Sequence, residues 1–313
     1  MTPLPLILDT DIGTDVDDAL ALAFALRHPG LDLRAVTTVS GDVTRRARLA
    51  AGLLRLAGRR DVEVAAGVGG FTGPGVARPA EMGHEDEFVV PAGGSAGDSG
   101  PAVSDRDAVT LLLEETAAVP GTAVATVGMQ TNVAVALERD PGLVDRVAIY
   151  AVMGGAFAPL RFLGRELPVA ADHNLDVDPD GAVLALNAGL PTLYVPCDVT
   201  FGAFLERRNL DSLRGGDELC RVLADHVDVW TKVVARGRGA MPEQYVALLH
   251  DPLTVACLVD RRFVTSERRP VTVGRVGPLA RTFVDPVAGR EAEVVTSVDA
   301  PAFADFWLET VLG

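Results

Sequence analysis

The chain has 313 residues, enough for one large or two ordinary domains around a sizeable core. Apolar residues make up 48 % and mean hydropathy is +0.25, which excludes a disordered chain. A formal charge of −15 repels phosphate backbones and anionic surfaces, so neither nucleic acid nor membrane is expected as a partner.

The first apolar run, residues 4–8, reads as a buried strand. Asp17 and Asp18 then open ALALAFALRH, a run of strong helix formers with acid at its start, and His28-Pro29-Gly30 stops it. Residues 33–40 read as a second strand, 44–56 as a helix and 62–66 as a third strand. This β-α-β-α-β order is the pattern of a parallel sheet with crossover helices. From 67 to 104 no period appears, and Gly, Pro and Ser are dense. A helix follows near 105–118, then a strand at 123–127, a helix at 132–138 and a strand at 147–152. A second irregular stretch is expected over 154–178, followed by a helix at 181–188 and a strand at 192–195. Mostly helical sequence runs to 259. Late strands are expected at 271–276 and 293–298, and a last helix at 301–311. The expectation is a single α/β domain over 1–313, with an open, mostly parallel Rossmann-like sheet flanked by helices.

Cys197, Cys220 and Cys257 are odd in number and form no CxxC, so buried free thiols in a reducing compartment are expected. The N-terminus lacks a basic region, and no apolar run approaches the length of a membrane span. The expected setting is the cytoplasm.

The turn after the first strand carries the chemistry. Five aspartates (Asp9, Asp11, Asp15, Asp17 and Asp18) fall within ten residues. In open α/β sheets, ligands sit beyond the carboxyl ends of the strands. Crowded carboxylates repel one another, a cation relieves the repulsion, and hard oxygen ligands select Ca²⁺ or Mg²⁺. An EF-hand loop does not fit, because Leu20 stands where its bidentate Glu belongs. A DxD after the first strand is also similar to the haloacid-dehalogenase phosphatases, which are Mg²⁺-dependent. Gly13 stands where that family has Thr or Val, and Lys232, the only lysine, has nothing site-like beside it.

The segment from Asp9 to Leu22, DTDIGTDVDDALAL, more closely resembles DTDPGxDDAxAL, the signature of the inosine–uridine-preferring nucleoside hydrolases. Ile12 replaces the proline, and two extra residues precede the Asp17-Asp18 pair. Further along, TTVSGD (37–42) is similar to TTVxGN and GMQTNVA (128–134) to GPLTNxA. Met153-Gly154-Gly155 matches MGG, DHNLDVDPD (172–180) is similar to EFNxxxDPE, and His250-Asp251-Pro252 matches HDP. The matches keep the family's order across most of the chain.

The resemblance implies Ca²⁺-dependent hydrolysis of the N-glycosidic bond of a ribonucleoside, serving salvage, by a homotetramer or homodimer. A non-catalytic ribose or nucleoside binder on the same fold is the other alternative beside the phosphohydrolase. By the resemblance, Asp11 is a metal ligand and the general base. Asp18 and Asp251 are metal ligands, and Thr131 gives its backbone carbonyl, leaving its side chain replaceable. Asp17, Asn174, Asp172 and Met153 contact the sugar. Asp42 stands in place of Asn and adds a charge near the metal. His250 corresponds to the histidine that protonates the leaving base, and its titration range suits the task. His84, in the first long loop, is a substrate-contact candidate, and His173 replaces an aromatic near the sugar. Asp9 is suited to bracing the metal loop. Asp15 lies in the two-residue insertion, so no family role transfers to it.

Overall fold

The computed structural model describes residues 2–71, 83–91, 102–162, 164–167, 172–237, 242 and 245–313. The first half follows the expected alternation: β1 (Leu4–Thr10), α1 (Asp17–Arg27), β2 (Leu31–Thr38), α2 (Val43–Leu56) and β3 (Glu63–Ala66). It continues with α3 (Ala108–Ala118), β4 (Thr122–Thr126), α4 (Thr131–Arg139) and β5 (Val147–Met153). Most of the irregular stretch expected over 67–104 lies outside the described residues. Its described part at 83–91 contains a 3₁₀ turn, Glu85–Glu87.

The stretch expected to be irregular over 154–178 holds a small hairpin, β6 (Arg161–Phe162) with β7 (Arg165–Glu166), and a one-turn helix, α5 (His173–Val177). After α6 (Pro179–Asn187) and β8 (Thr192–Val195), the region read as mostly helical contains α7 (Cys197–Thr200), β9 (Phe204–Glu206), α8 (Arg207–Arg214), α9 (Glu218–Gly237) and β10 (Tyr245–Leu248). Its two strands pair antiparallel with each other. At three and four residues they are too short to show a period. The chain ends with α10 (His250–Ala256), β11 (Val264–Val276), β12 (Leu279–Val284), β13 (Arg290–Val298) and α11 (Ala300–Leu312). The sequence reading missed β12.

Among the described residues, nine strands form one sheet in the order β12-β11-β13-β8-β5-β4-β1-β2-β3. Every neighbour pair from β13 to β3 is parallel, and β11 pairs antiparallel with both β12 and β13. Successive side chains of β1 point to opposite faces. Leu6 and Leu8 join the core beneath α1, α9, α10 and α11, while Ile7 joins the core beneath α3, α4 and α6. This is the expected mostly parallel, Rossmann-like α/β architecture.

The strand order sets the site. From β1 the chain steps outward through β2 and β3, then returns to β4 on the other side of β1. The sheet therefore reverses its winding between β1 and β4, and a crevice opens beyond their carboxyl ends. Cys197, Cys220 and Cys257 are buried free thiols. Among the described residues, no helix is long and apolar enough to cross a membrane.

Candidate active site

Two helix starts meet in that crevice. α1 opens with Asp17-Asp18 and α10 with His250-Asp251, and the two helices pack side by side. Asp17, Asp18 and Asp251 each offer a ligand oxygen, and these atoms lie within 4.8 Å of one another. All three residues are buried. Burial, and then the charges of Asp11, Asp15 and their own neighbours, push the carboxyls of Asp17, Asp18 and Asp251 well above the usual carboxylate range. Three buried carboxylates held this close are costly unless protonated or paired with a cation, and an all-oxygen donor set suits a hard divalent ion. The residues present therefore fit a metal.

Asp11 sits at the crevice itself. A Cβ added to Gly128, in the β4–α4 turn, would meet Asp11 Oδ1 at 2.8 Å, so only glycine lets the two turns approach. Asp11 thus lies between the β1 and β4 turns, and its charge bears on Asp17, Asp18 and Asp251. The half-buried Asp15 brings the insertion's carboxylate to the same cluster, acting on Asp17 and Asp251.

Supporting residues hold these groups. The Thr10 hydroxyl donates to Asp18 Oδ1 and accepts the Ile12 N–H at 3.1 Å. Asp9 is fully buried, and its Oδ1 accepts from Thr37 Oγ1 at 2.6 Å and Asn132 Nδ2 at 2.7 Å. Burial pushes the Asp9 carboxyl up to about 7 against those two donors. These bonds tie β1 to β2 and to the first turn of α4.

Thr131 opens α4, which places its backbone beside the crevice, and its side chain has a hydrogen bond of its own in addition to the carbonyl role that the resemblance implied. Its hydroxyl donates to Asp178 Oδ2 at 2.6 Å, and Asp178 is fully buried while capping α6 through Gly181 N–H. Thr131→Val removes a donor from a buried carboxylate and is expected to cost about 1–3 kcal/mol in urea unfolding, against a near-neutral Thr131→Ser.

The sugar-contact candidates lie on β5 and α5. Asn174 Nδ2 donates to Val127 O at 2.6 Å and Met153 O at 3.1 Å, bridging the ends of β4 and β5. With both amide hydrogens committed, the side chain's remaining polar atom is the acceptor Oδ1. Met153 is buried beside it. Asp172 caps α5 instead of standing open: its carboxylate accepts Gly155 N–H at 2.7 Å and Leu175 N–H at 3.3 Å. Burial pushes it up to about 6. His173 is half-buried in the first turn of α5.

Asp42 is not among the three residues whose ligand atoms converge. It is exposed and caps α2, accepting Arg45 N–H at 2.9 Å. An aspartate before a helix finds this role locally. His84 is buried, with Nε2 bonded to the carbonyl of Thr14 at 2.7 Å and the ring against Phe88 and Trp230. It therefore holds the turn immediately before the insertion. His250 is buried, with Nδ1 at 2.6 Å from Thr200 Oγ1 and its ring edge-to-face with Phe201 at 4.8 Å. Lys232 is exposed on α9, which does not suit the phosphatase alternative.

Sequence reading missed three residues: Thr10, Asp178 and Arg46. Arg46 is 2 % exposed beneath the metal loop. Its place on the face of α2 that carries Ala50, Leu53 and Leu54 was a readable signal.

The family described as inosine-uridine preferring nucleoside hydrolase matches residues 6–305. The pyrimidine-specific ribonucleoside hydrolase RihA of Salmonella arizonae is 32% identical over 324 aligned residues, covering 98% of this chain and 97% of the relative. A solved purine-preferring ribonucleoside hydrolase from Gardnerella vaginalis superposes with a TM-score of 0.82 at 25% identity, covering 99% of this chain and 98% of that one. A plant nucleoside hydrolase gives a TM-score of 0.80 at 25% identity, covering 99% of each chain. The chain belongs to the inosine-uridine preferring nucleoside hydrolase family, and it is a hydrolase acting on N-glycosyl bonds.

Proposed function

We propose that residues 1–313 act as one catalytic domain that hydrolyses ribonucleosides to ribose and free base with Ca²⁺, in cytoplasmic salvage and as a homotetramer or homodimer. The observation that carries this reading is the buried group Asp17, Asp18 and Asp251, with Asp11 against it, at the point where the sheet reverses its winding.

Asp11, Asp18, Asp251 and the Thr131 carbonyl would hold the ion. When bound, Ca²⁺ supplies a positive centre that orients a water and the ribose diol. Asp11 takes a proton from the attacking water as its oxygen bonds to C1′. As the bond from C1′ to the base breaks, positive charge grows on the sugar, and the surrounding carboxylates stabilise it. Asp17 and Asn174 Oδ1 accept from ribose hydroxyls, and Met153 lines the sugar face. Asp172 serves the 5′ end through the shape of the capped α5 turn. His250 Nδ1 lies 2.6 Å from the Thr200 hydroxyl, and in the tautomer in which that hydroxyl donates, Nε2 carries the proton for delivery to the departing base. His84 holds the turn before the insertion against the substrate side.

Replacing His250 with Ala is expected to lower kcat by about 10²-fold with far less change in KM. Steady-state kinetics on uridine and inosine measure it, and an unchanged kcat would assign the proton to another donor. The reaction itself is tested by chromatography of a nucleoside panel. The pyrimidine-specific relatives put uridine and cytidine first, followed by inosine, adenosine and guanosine. Free base and ribose in equal amounts support the reading. No release from any nucleoside by calcium-loaded, folded protein would overturn it.

A further inference from the structure

The loop joining β1 to α1 is two residues longer than the family signature and lacks its proline, yet all of its residues but Asp15 are buried, and the Asp17-Asp18 pair that follows it converges with Asp251. Something must hold a longer, less constrained loop. The guanidinium of Arg46, from α2, lies underneath. Nη1 donates to the carbonyls of Asp11 and Ile12, the latter at 2.9 Å. Nη2 donates to Thr14 Oγ1 at 2.9 Å, and Nε to Ser40 O at 2.7 Å. One side chain thus fastens three positions of the β1 turn, Asp11, Ile12 and Thr14, to the β2 turn. α2 also supports the loop through Leu49, which a Cβ on Gly13 would meet at 3.1 Å; Gly13 is held at φ +104°. Among the described residues, Arg46 is the one buried cation.

We propose that Arg46 is a positioning residue that sets the metal affinity of the site by clamping the turn that carries Asp11. The inference rests on the metal reading above and adds a residue outside the family motif. A guanidinium suits the task because its planar fork presents five donors in fixed directions, whereas an ammonium is a compact point charge. Two effects of removing it have opposite signs. Arg46 is a positive charge whose field reaches Asp18, so its loss by itself strengthens cation binding. Loss of the clamp frees four buried acceptors and lets Asp11 drift, which weakens binding. Supporting groups beneath metal ligands change affinity by about 10–100-fold when removed. The clamp is the larger effect here, because the arginine binds the backbone of the ligand turn directly.

The test is calcium calorimetry and terbium luminescence on chelator-treated protein. It compares wild type, Arg46→Met, Arg46→Lys and, as a control, Arg48→Met on the exposed side of the same helix. Arg46→Met is expected to bind Ca²⁺ at least about tenfold more weakly, Arg46→Lys to fall between it and wild type, and Arg48→Met to match wild type. At saturating calcium, kcat of the Arg46 variants should return to within about threefold of wild type, which lost folding would not allow. Equal or tighter binding by folded Arg46→Met overturns the inference. If that variant does not fold, Arg46→Lys decides, and wild-type affinity there overturns it. Failure of wild type to bind either cation removes the metal reading, and the inference with it.

Discussion

Asp11→Asn is expected to leave a folded protein whose kcat is lower by about 10³-fold, within the range that loss of a general base produces. Asparagine keeps the shape and one oxygen, so packing against Gly128 is retained. What disappears is the ability to take a proton from water. Because Asp11 is also a proposed ligand, the variant must be assayed across a calcium titration. A kcat that stays low at saturating calcium assigns the loss to proton transfer. Recovery to within about tenfold of wild type would reduce Asp11 to a ligand and move the base elsewhere.

The second large effect is on stability. Removing divalent cations is expected to destabilise the fold, and the loss should deepen as pH rises. Burial pushes Asp172 up to about 6 and Asp9 up to about 7, and raises Asp17, Asp18 and Asp251 well above their ordinary value. The folded state therefore binds more protons than the unfolded chain, whose carboxyls titrate near 3.8. Stability contributed by these protons is fully present below that value. It is lost as pH climbs through about 6 for Asp172 and about 7 for Asp9. Each such proton changes stability by about 1.4 kcal/mol per pH unit across its window. A bound cation replaces the protons at the cluster, and at a hundredfold excess over Kd it adds about 2.7 kcal/mol. Thermal unfolding of chelated protein should show a higher midpoint at pH 5.5 than at pH 8, with calcium flattening the difference. A chelated midpoint that rises with pH would mean that these carboxyls are charged and satisfied without a cation.

Much of the site was legible because its chemistry is concentrated in short segments at strand ends. The apolar run of β1, the acid start of α1 and the helix stop at His28-Pro29-Gly30 left one reading for residues 4–30. Asp17, Asp18 and Asp251 come from segments more than two hundred residues apart, and only the order of the motifs linked them before the fold did. What stayed hidden depended on which of two local roles a side chain takes. Asp42 had a helix to cap immediately after it, and its side chain takes that role. Asp172 likewise caps α5, a helix too short to show a period. Thr131 was read for its carbonyl, while its hydroxyl serves a buried aspartate 47 positions along the chain. Arg46 is one of four arginines on α2 and lies in none of the motifs. Its position four residues before Ala50 put it on the buried face, where it donates to backbone carbonyls of the metal loop and of the β2 turn.

The most direct test of the account is ribose release from uridine and inosine by protein stripped with a chelator, then resupplied with Ca²⁺ or Mg²⁺, with phosphate release followed in parallel. Release is expected to stop on stripping, to return with Ca²⁺ and to be accompanied by no phosphate. Undiminished release from protein shown to be metal-free would contradict it, because the Asp17, Asp18 and Asp251 cluster would then act without a cation.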